Sequence, residues 1–144
     1  MLCIDFGSGY NPSEGFRTCD FVPNPKLDYF YHDGIIEGLN EPVSRFRIRN
    51  VIHHLPDIRK TIQDLKRYLA KDGIIEIIDV RKEYYKSNVF LDCLWYRFVI
   101  PRKDIFISTE YRDYFSIMKQ MGFIRKSSTI RGEKEFTEWT LKKY

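Results

Sequence analysis

The apolar and polar positions divide the chain into short strand-like runs separated by helical stretches. Leu2 to Phe6 is an apolar run that breaks at Gly7, and the next short run ends at Asp20. Leu27 to Tyr31 reads as a third strand, closing at His32-Asp33-Gly34. Arg45-Phe46-Arg47-Ile48-Arg49 alternates charged and apolar residues, the pattern of a half-buried strand. From Asp57 to Leu69 the apolar residues Ile58, Ile62, Leu65 and Leu69 fall on one helical face, with Pro56 at its start and Gly73 just beyond its end. Ile74 to Val80 is a buried strand interrupted by Glu76, which a neighbouring strand would bring against Arg47 or Arg49. An aromatic-laden helix follows over Val89 to Ile100. Ser108 or Thr109 can cap another, running to Met121 and stopped by Gly122. Phe123 to Ile130 and Phe136 to Leu141, joined through Gly132, read as a closing hairpin.

The first break carries the candidate chemistry. Gly7-Ser8-Gly9 follows a strand directly, and Asp20 ends the next one. Glycines there let backbone approach a ligand that a Cβ would hold away, and a second-strand carboxylate can accept both hydroxyls of a ribose. A plain strand-to-loop turn has the same local appearance. Only eleven positions separate Gly9 from Asp20, where a full strand–helix–strand unit needs about twenty. A dinucleotide needs a helix start under its pyrophosphate and a third glycine, so this spacing disfavours a nicotinamide-dependent enzyme.

A later segment narrows the reading. Arg49-Asn50-Val51-Ile52-His53-His54-Leu55-Pro56, then a helix, then Gly73-Ile74-Ile75-Glu76-Ile77-Ile78-Asp79 follow Asp5-x-Gly7-x-Gly9 and Asp20 in order. Together these resemble the class I S-adenosylmethionine (SAM)-dependent methyltransferases over roughly residues 2 to 125, in a compact branch that lacks N-terminal helices and nearly lacks the first helix. The long closing hairpin is the terminal feature of that family's sheet. The resemblance implies a single α/β domain over residues 1–144, a Rossmann-like, seven-stranded, mostly parallel sheet with a C-terminal antiparallel hairpin.

It also implies roles. Asp5, Gly7 and Gly9 would hold the amino-acid part of SAM and Asp20 its ribose. Phe21 and Asp33 would flank the adenine, although Asp33-Gly34 equally suits a solvated turn. Asn50 would lie near the methionine side and the acceptor, with His53 as a candidate general base, while His54 suits an anchor for its own loop. Asn50-Val51-Ile52-His53 lacks the prolines and the stacking aromatic of base-flipping amino-methylases, and no Pro-Cys pair offers attack at C5 of cytosine. Adjacent histidines rarely point at one ion, so no metal site is expected. The cover that relatives build from N-terminal helices would come from an insertion, a partner chain or the substrate. The aromatic run 89–100 has more apolar surface than one sheet can bury, and would line an acceptor cavity or pack on a second copy in a homodimer.

Composition bounds the rest. At 144 residues, with 43% hydrophobic and 16% aromatic residues, the chain is long and apolar enough for one well-filled domain. Its 24 Lys and Arg against 20 Asp and Glu give +4, which permits a nucleic-acid acceptor without requiring one over a small molecule. The outer helix face with Arg59, Lys60, Lys66, Arg67 and Lys71 suits a solvated surface or a nucleic-acid track. Cys3, Cys19 and Cys93 leave one unpaired, as expected of reduced thiols. With no apolar run of about 18 residues and no leader, the expected location is the cytoplasm, without membrane contact. The functional expectation is a SAM-dependent methyltransferase acting on a small molecule or nucleic acid, with a non-catalytic scaffold or partner-dependent subunit as the alternative.

Overall fold

A computed structural model describes residues 1–7, 13–20, 25–49, 57–80 and 114–142. The elements run β1 (Cys3–Phe6), β2 (Arg17–Asp20), β3 (Tyr29–His32), β4 (Ile35–Glu37), β5 (Val43–Arg49), α1 (Ile58–Tyr68), β6 (Leu69–Val80), α2 (Tyr114–Gln120), β7 (Phe123–Arg131) and β8 (Lys134–Leu141). The aromatic run 89–100 and the cap expected at Ser108 or Thr109 lie outside the described residues.

The strands form one sheet in the order β4-β3-β2-β1-β5-β6-β8-β7. Its centre, from β3 through β2, β1 and β5 to β6, is parallel, and both edges are antiparallel. Among the described residues the sheet thus has eight strands where the sequence led us to expect seven. The additional strand is β4, which pairs back on β3 through Asp33 and Gly34. Both turn residues have positive φ (49° and 79°), the conformation that two-residue hairpin turns require.

That hairpin is fastened to α1 by one carboxylate. Asp64 accepts hydrogen bonds from the Tyr31 hydroxyl (2.6 Å), Lys60 Nζ (2.9 Å) and Arg67 Nη2 (3.1 Å), and Arg67 also donates to the Gly34 carbonyl (2.7 Å). The Ile36 amide donates to the Tyr68 hydroxyl at 3.2 Å. Helix α1 begins at Asp57, whose Oδ1 accepts from the Lys60 amide at 3.0 Å. It buries Ile58, Ile62 and Leu65 completely, each contributing about 1.5–3 kcal/mol by leaving water.

The end of α1 differs from expectation. The helix stops at Tyr68 and the chain enters β6 at once, so Gly73 lies inside the strand rather than beyond a helix end. Between Leu69, opposite Val43, and Ile74, opposite Arg45, the register shifts, and Asp72 takes a positive φ of 60°. A Cβ on Gly73 would come within 2.7 Å of Leu69 Cδ1 and 2.8 Å of the Ala70 carbonyl oxygen. Close packing within the irregularity therefore demands glycine there.

One core cluster joins Ile58, Ile62 and Leu65 of α1 and Tyr114, Ile117 and Met118 of α2 to Ile4, Phe6, Phe46, Ile48, Ile75, Ile77 and Trp139 of the sheet. Lys66 Nζ donates to the Met121 carbonyl (3.0 Å) and ties the two helices together. The opposite face is built differently. Residues 7–16 between β1 and β2, and 21–28 between β2 and β3, are shorter than the dozen or more that a crossover helix needs. Residues 38–42 then return the chain from the β4 edge to β5 beside β1.

On that face β5 carries Arg45 and Arg47, which alternate with the buried Phe46 and Ile48. Arg45 donates to Glu76 Oε2 (2.7 Å) and pairs with Glu138 Oε2 (2.7 Å), and Arg47 reaches the same Glu76 oxygen at 3.3 Å. The expected contact between Arg47 and Glu76 is thus present, and Arg45, which the sequence reading left out, makes the shorter bond.

Candidate functional site

The carboxyl ends of β1 and β2 stand side by side, with Asp5 opposite Thr18 and Phe6 opposite Cys19. Parallel pairing therefore brings Asp5, Gly7 and Asp20 to one end of the sheet, where open α/β sheets bind their ligands. Asp5 and Asp20 are buried, at 1% and 8% exposure, and both engage partners.

Asp5 Oδ2 accepts from the Ser13 amide (2.8 Å) and the Ser13 hydroxyl (2.9 Å). Gly7 has φ 75°, and its amide donates to the Cys19 carbonyl at 2.7 Å. That amide closes the strand pair, so what Gly7 offers a ligand is a flank without a Cβ. Downstream, Phe16 lies under the Arg47 guanidinium, with Cζ 4.4 Å from the ring centre. The sequence reading passed over Ser13 and Phe16. Their only sequence signal is their place in the short connection just before β2.

Asp20 is in register with Phe30, and Phe30 stacks on His32 with ring centres 5.0 Å apart. His32 Nε2 lies 3.1 Å from Glu37 Oε2. Asp33 sits at the hairpin tip with its side chain 97% exposed, and its Oδ2 is 3.7 Å from His32 Nδ1. Lower on the same strands, Asp28 Oδ2 accepts from the Thr18 amide (2.9 Å) and hydroxyl (3.0 Å), fixing β3 against β2. Burial, with the neighbouring Asp20 charge adding to it, pushes the Cys19 thiol up to about 12. It is a small apolar side chain under the site, without nucleophilic character at neutral pH.

The structure thus brings together Asp5, Gly7 and Asp20, with Asp33 one strand further out. Gly9, Phe21, Asn50, His53 and His54 lie outside the described residues. Among the described residues, no group of His, Cys, Asp and Glu could hold a metal ion.

No family model and no curated protein matches the chain. Solved structures do. The mitomycin 7-O-methyltransferase MmcR is 14% identical and superposes with a TM-score of 0.64 over 98% of this chain and 49% of its own. A protein assigned to the type 11 methyltransferases from Sulfolobus solfataricus is 17% identical, with a TM-score of 0.64 over 99% of this chain and 85% of its own. LepI, in a structure with SAM, is 11% identical, with a TM-score of 0.60 over 98% of this chain and 43% of its own. The chain therefore has the fold of the class I SAM-dependent methyltransferases, and spans about half the length of MmcR and less of LepI.

Proposed function

We propose that this chain is a SAM-dependent methyltransferase domain that delivers the sulfonium methyl group to a small molecule or a nucleic acid. The observation that carries the reading is the pairing of a left-handed Gly7 with the buried Asp5 and Asp20 at the carboxyl ends of adjacent parallel strands. The residues present fit the cofactor. A ribose needs a carboxylate at the second strand end, where Asp20 stands, and a ligand without phosphate has no need of the helix that the β1–β2 connection is too short to form.

When bound, SAM supplies an electrophilic methyl on a positively charged sulfur, already a good leaving group. The chain's own part is to bind, orient and exclude water. Asp20 accepts the ribose hydroxyls, Gly7 and Gly9 allow close backbone approach, and Phe21 and Asp33 bound the adenine. Asn50 orients the acceptor, and His53 can take its proton where the acceptor atom carries one. We place the protein in the cytoplasm. No described helix is long and apolar enough to cross a membrane.

A second reading, favoured by the short β1–β2 and β2–β3 connections and by the charged residues of β5, is a non-catalytic SAM-fold scaffold or a partner-dependent subunit. Calorimetric titration with S-adenosylhomocysteine (SAH), beside Asp20→Ala and an NAD control, tests the cofactor. The expected result is SAH binding that the variant weakens at least about tenfold, as loss of a charged hydrogen-bonding partner should. Binding without methyl transfer to any offered acceptor would favour the scaffold. Absence of SAH binding in folded wild-type protein would remove the methyltransferase reading.

A further inference from the structure

Among the described residues β7 closes one side of the sheet, and no further strand pairs with its outer edge. Residues 128–131 are exposed, Ile130 at 53%, whereas the opposite edge is the three-residue β4. Long open edges are ordinarily guarded by bulges and charges. On β7 that guard covers only the first half. The register with β8 shifts between Arg125 and Ser127, leaving Lys126 as the extra residue of a bulge beside Arg125. From Ser127 to Arg131 the ladder is regular and free of proline, and only its last residue is charged.

The turn sets which backbone groups look outward. Arg131 and Lys134 pair across Gly132 and Glu133, and such a closing pair exchanges backbone hydrogen bonds. By alternation Thr129 also bonds toward β8, and Ser128 and Ile130 present their N–H and C=O groups at the open edge. We propose that this edge docks a second copy of the chain, the two β7 strands running antiparallel about a two-fold axis at Thr129. Ser128 of each copy then exchanges both backbone bonds with Ile130 of the other, Ser127 faces Arg131, and Thr129 faces Thr129 at the closer, non-hydrogen-bonded spacing. The two exposed Ile130 side chains become diagonal neighbours on one face. The Arg125-Lys126 end of each strand comes to the Gly132-Glu133 turn of the other, so opposite charges meet. Other registers fit worse. Sliding the pair by two residues one way sets Arg125 toward Arg131, the other way leaves only 129–131 paired, and a slip of one residue turns outward groups against inward ones. The proposal is independent of the cofactor reading, since Asp5 and Asp20 stand on β1 and β2, with β5, β6 and β8 between them and β7.

Sedimentation velocity of the wild type at about 100 μM, where a micromolar contact is nearly saturated, should show a dimer. Thr129→Lys and Thr129→Glu each oppose like charges across the axis at an exposed position. Each variant alone should therefore be monomeric with an unchanged circular-dichroism spectrum, and an equimolar mixture of the two should be dimeric again. Facing Cα atoms about 4.5 Å apart also suit a disulfide, so Thr129→Cys should link two copies on mild oxidation. Ile124→Cys, equally exposed but beyond the bulge, should not. A monomeric wild type, single variants that remain dimeric, or a mixture that stays monomeric would each overturn the proposal. So would linkage of the Ile124→Cys variant and not of the Thr129→Cys one.

Discussion

Glu76 faces Arg47 across the β5–β6 pair, yet its shortest bond, 2.7 Å, is to Arg45, two residues earlier on the same strand. Both guanidiniums converge on one carboxylate oxygen, and Arg45 continues to Glu138, whose other oxygen accepts from the Ser127 hydroxyl at 2.7 Å. A row of side chains thus links four strands on the face opposite the helices.

The coupling within this row is measurable. In a double-mutant cycle on Arg45 and Glu76 by urea unfolding, we expect about 1–3 kcal/mol, between the worth of exposed pairs and that of fully buried ones. Arg47 and Glu76, at the longer distance, should couple less. Additivity in the Arg45 cycle would mean that the row is only a crowded surface.

Acid should weaken the fold at two named carboxylates. The Ser127 hydroxyl and then Arg45 hold Glu138 below its ordinary 4.5. At Asp64 burial pushes upward, but bonds from Tyr31 and Lys60 and the charges of Lys60 and Arg67 prevail and hold it below 3.8. A carboxyl depressed in the folded state stabilises it above the unfolded value, and that contribution is lost as pH falls through the folded value. The Tm of wild type should therefore drop below about pH 4.5, and Asp64→Asn and Glu138→Gln should each start lower at pH 7 and fall less steeply. Parallel Tm curves for wild type and both variants would contradict this.

Gly34→Ala should be disproportionately harmful for so small a change at a surface hairpin. Its φ of 79° disfavours any L side chain, and the new Cβ would sit 3.1 Å from both Arg67 Nη2 and Asp64 Oδ1. We expect about 1–3 kcal/mol lost in denaturant unfolding, with α1 and the hairpin loosened together in hydrogen exchange. An unchanged midpoint would show that the Asp64 cluster tolerates displacement.

Cys19 should resist modification. With its thiol pushed up to about 12 and its side chain buried, the native protein treated with a thiol reagent at pH 8 should leave Cys19 unlabelled in peptide mapping, and urea should make it reactive. Rapid native labelling at Cys19 would mean that β2 opens readily.

Much of this architecture was legible because periodicity reports burial on one face. Ile58, Ile62 and Leu65 announced α1, and the 123–130 and 136–141 runs announced the closing hairpin. What escaped was set by backbone rather than side-chain pattern. Asp33-Gly34 reads alike as a strand end or as a hairpin turn until a partner strand is seen, and Ile35-Ile36-Glu37 is too short to declare itself. Gly73 looked like a helix stop because a glycine after a helical run usually is one, whereas here a close approach of Leu69 and Ala70 selects it. At the site, strand-end residues such as Asp5 and Asp20 could be placed from spacing. Ser13 could not, because its bonds to Asp5 join positions eight apart that no periodicity relates.

The placement of Trp139 governs how the fold can be reached in time. This fully buried ring lies on β8, opposite Ile75 of β6, so the pairing that seals the sheet joins segments more than sixty positions apart. The first half of the sheet closes through short connections and can assemble early, but β6 keeps an open hydrogen-bonding edge until the last strand arrives. A chain emerging from the ribosome therefore passes through a stage in which six of the eight described strands can be paired while β6 still awaits β8. Crowding and chaperone access act on that stage, and the arrival of a single tryptophan ends it.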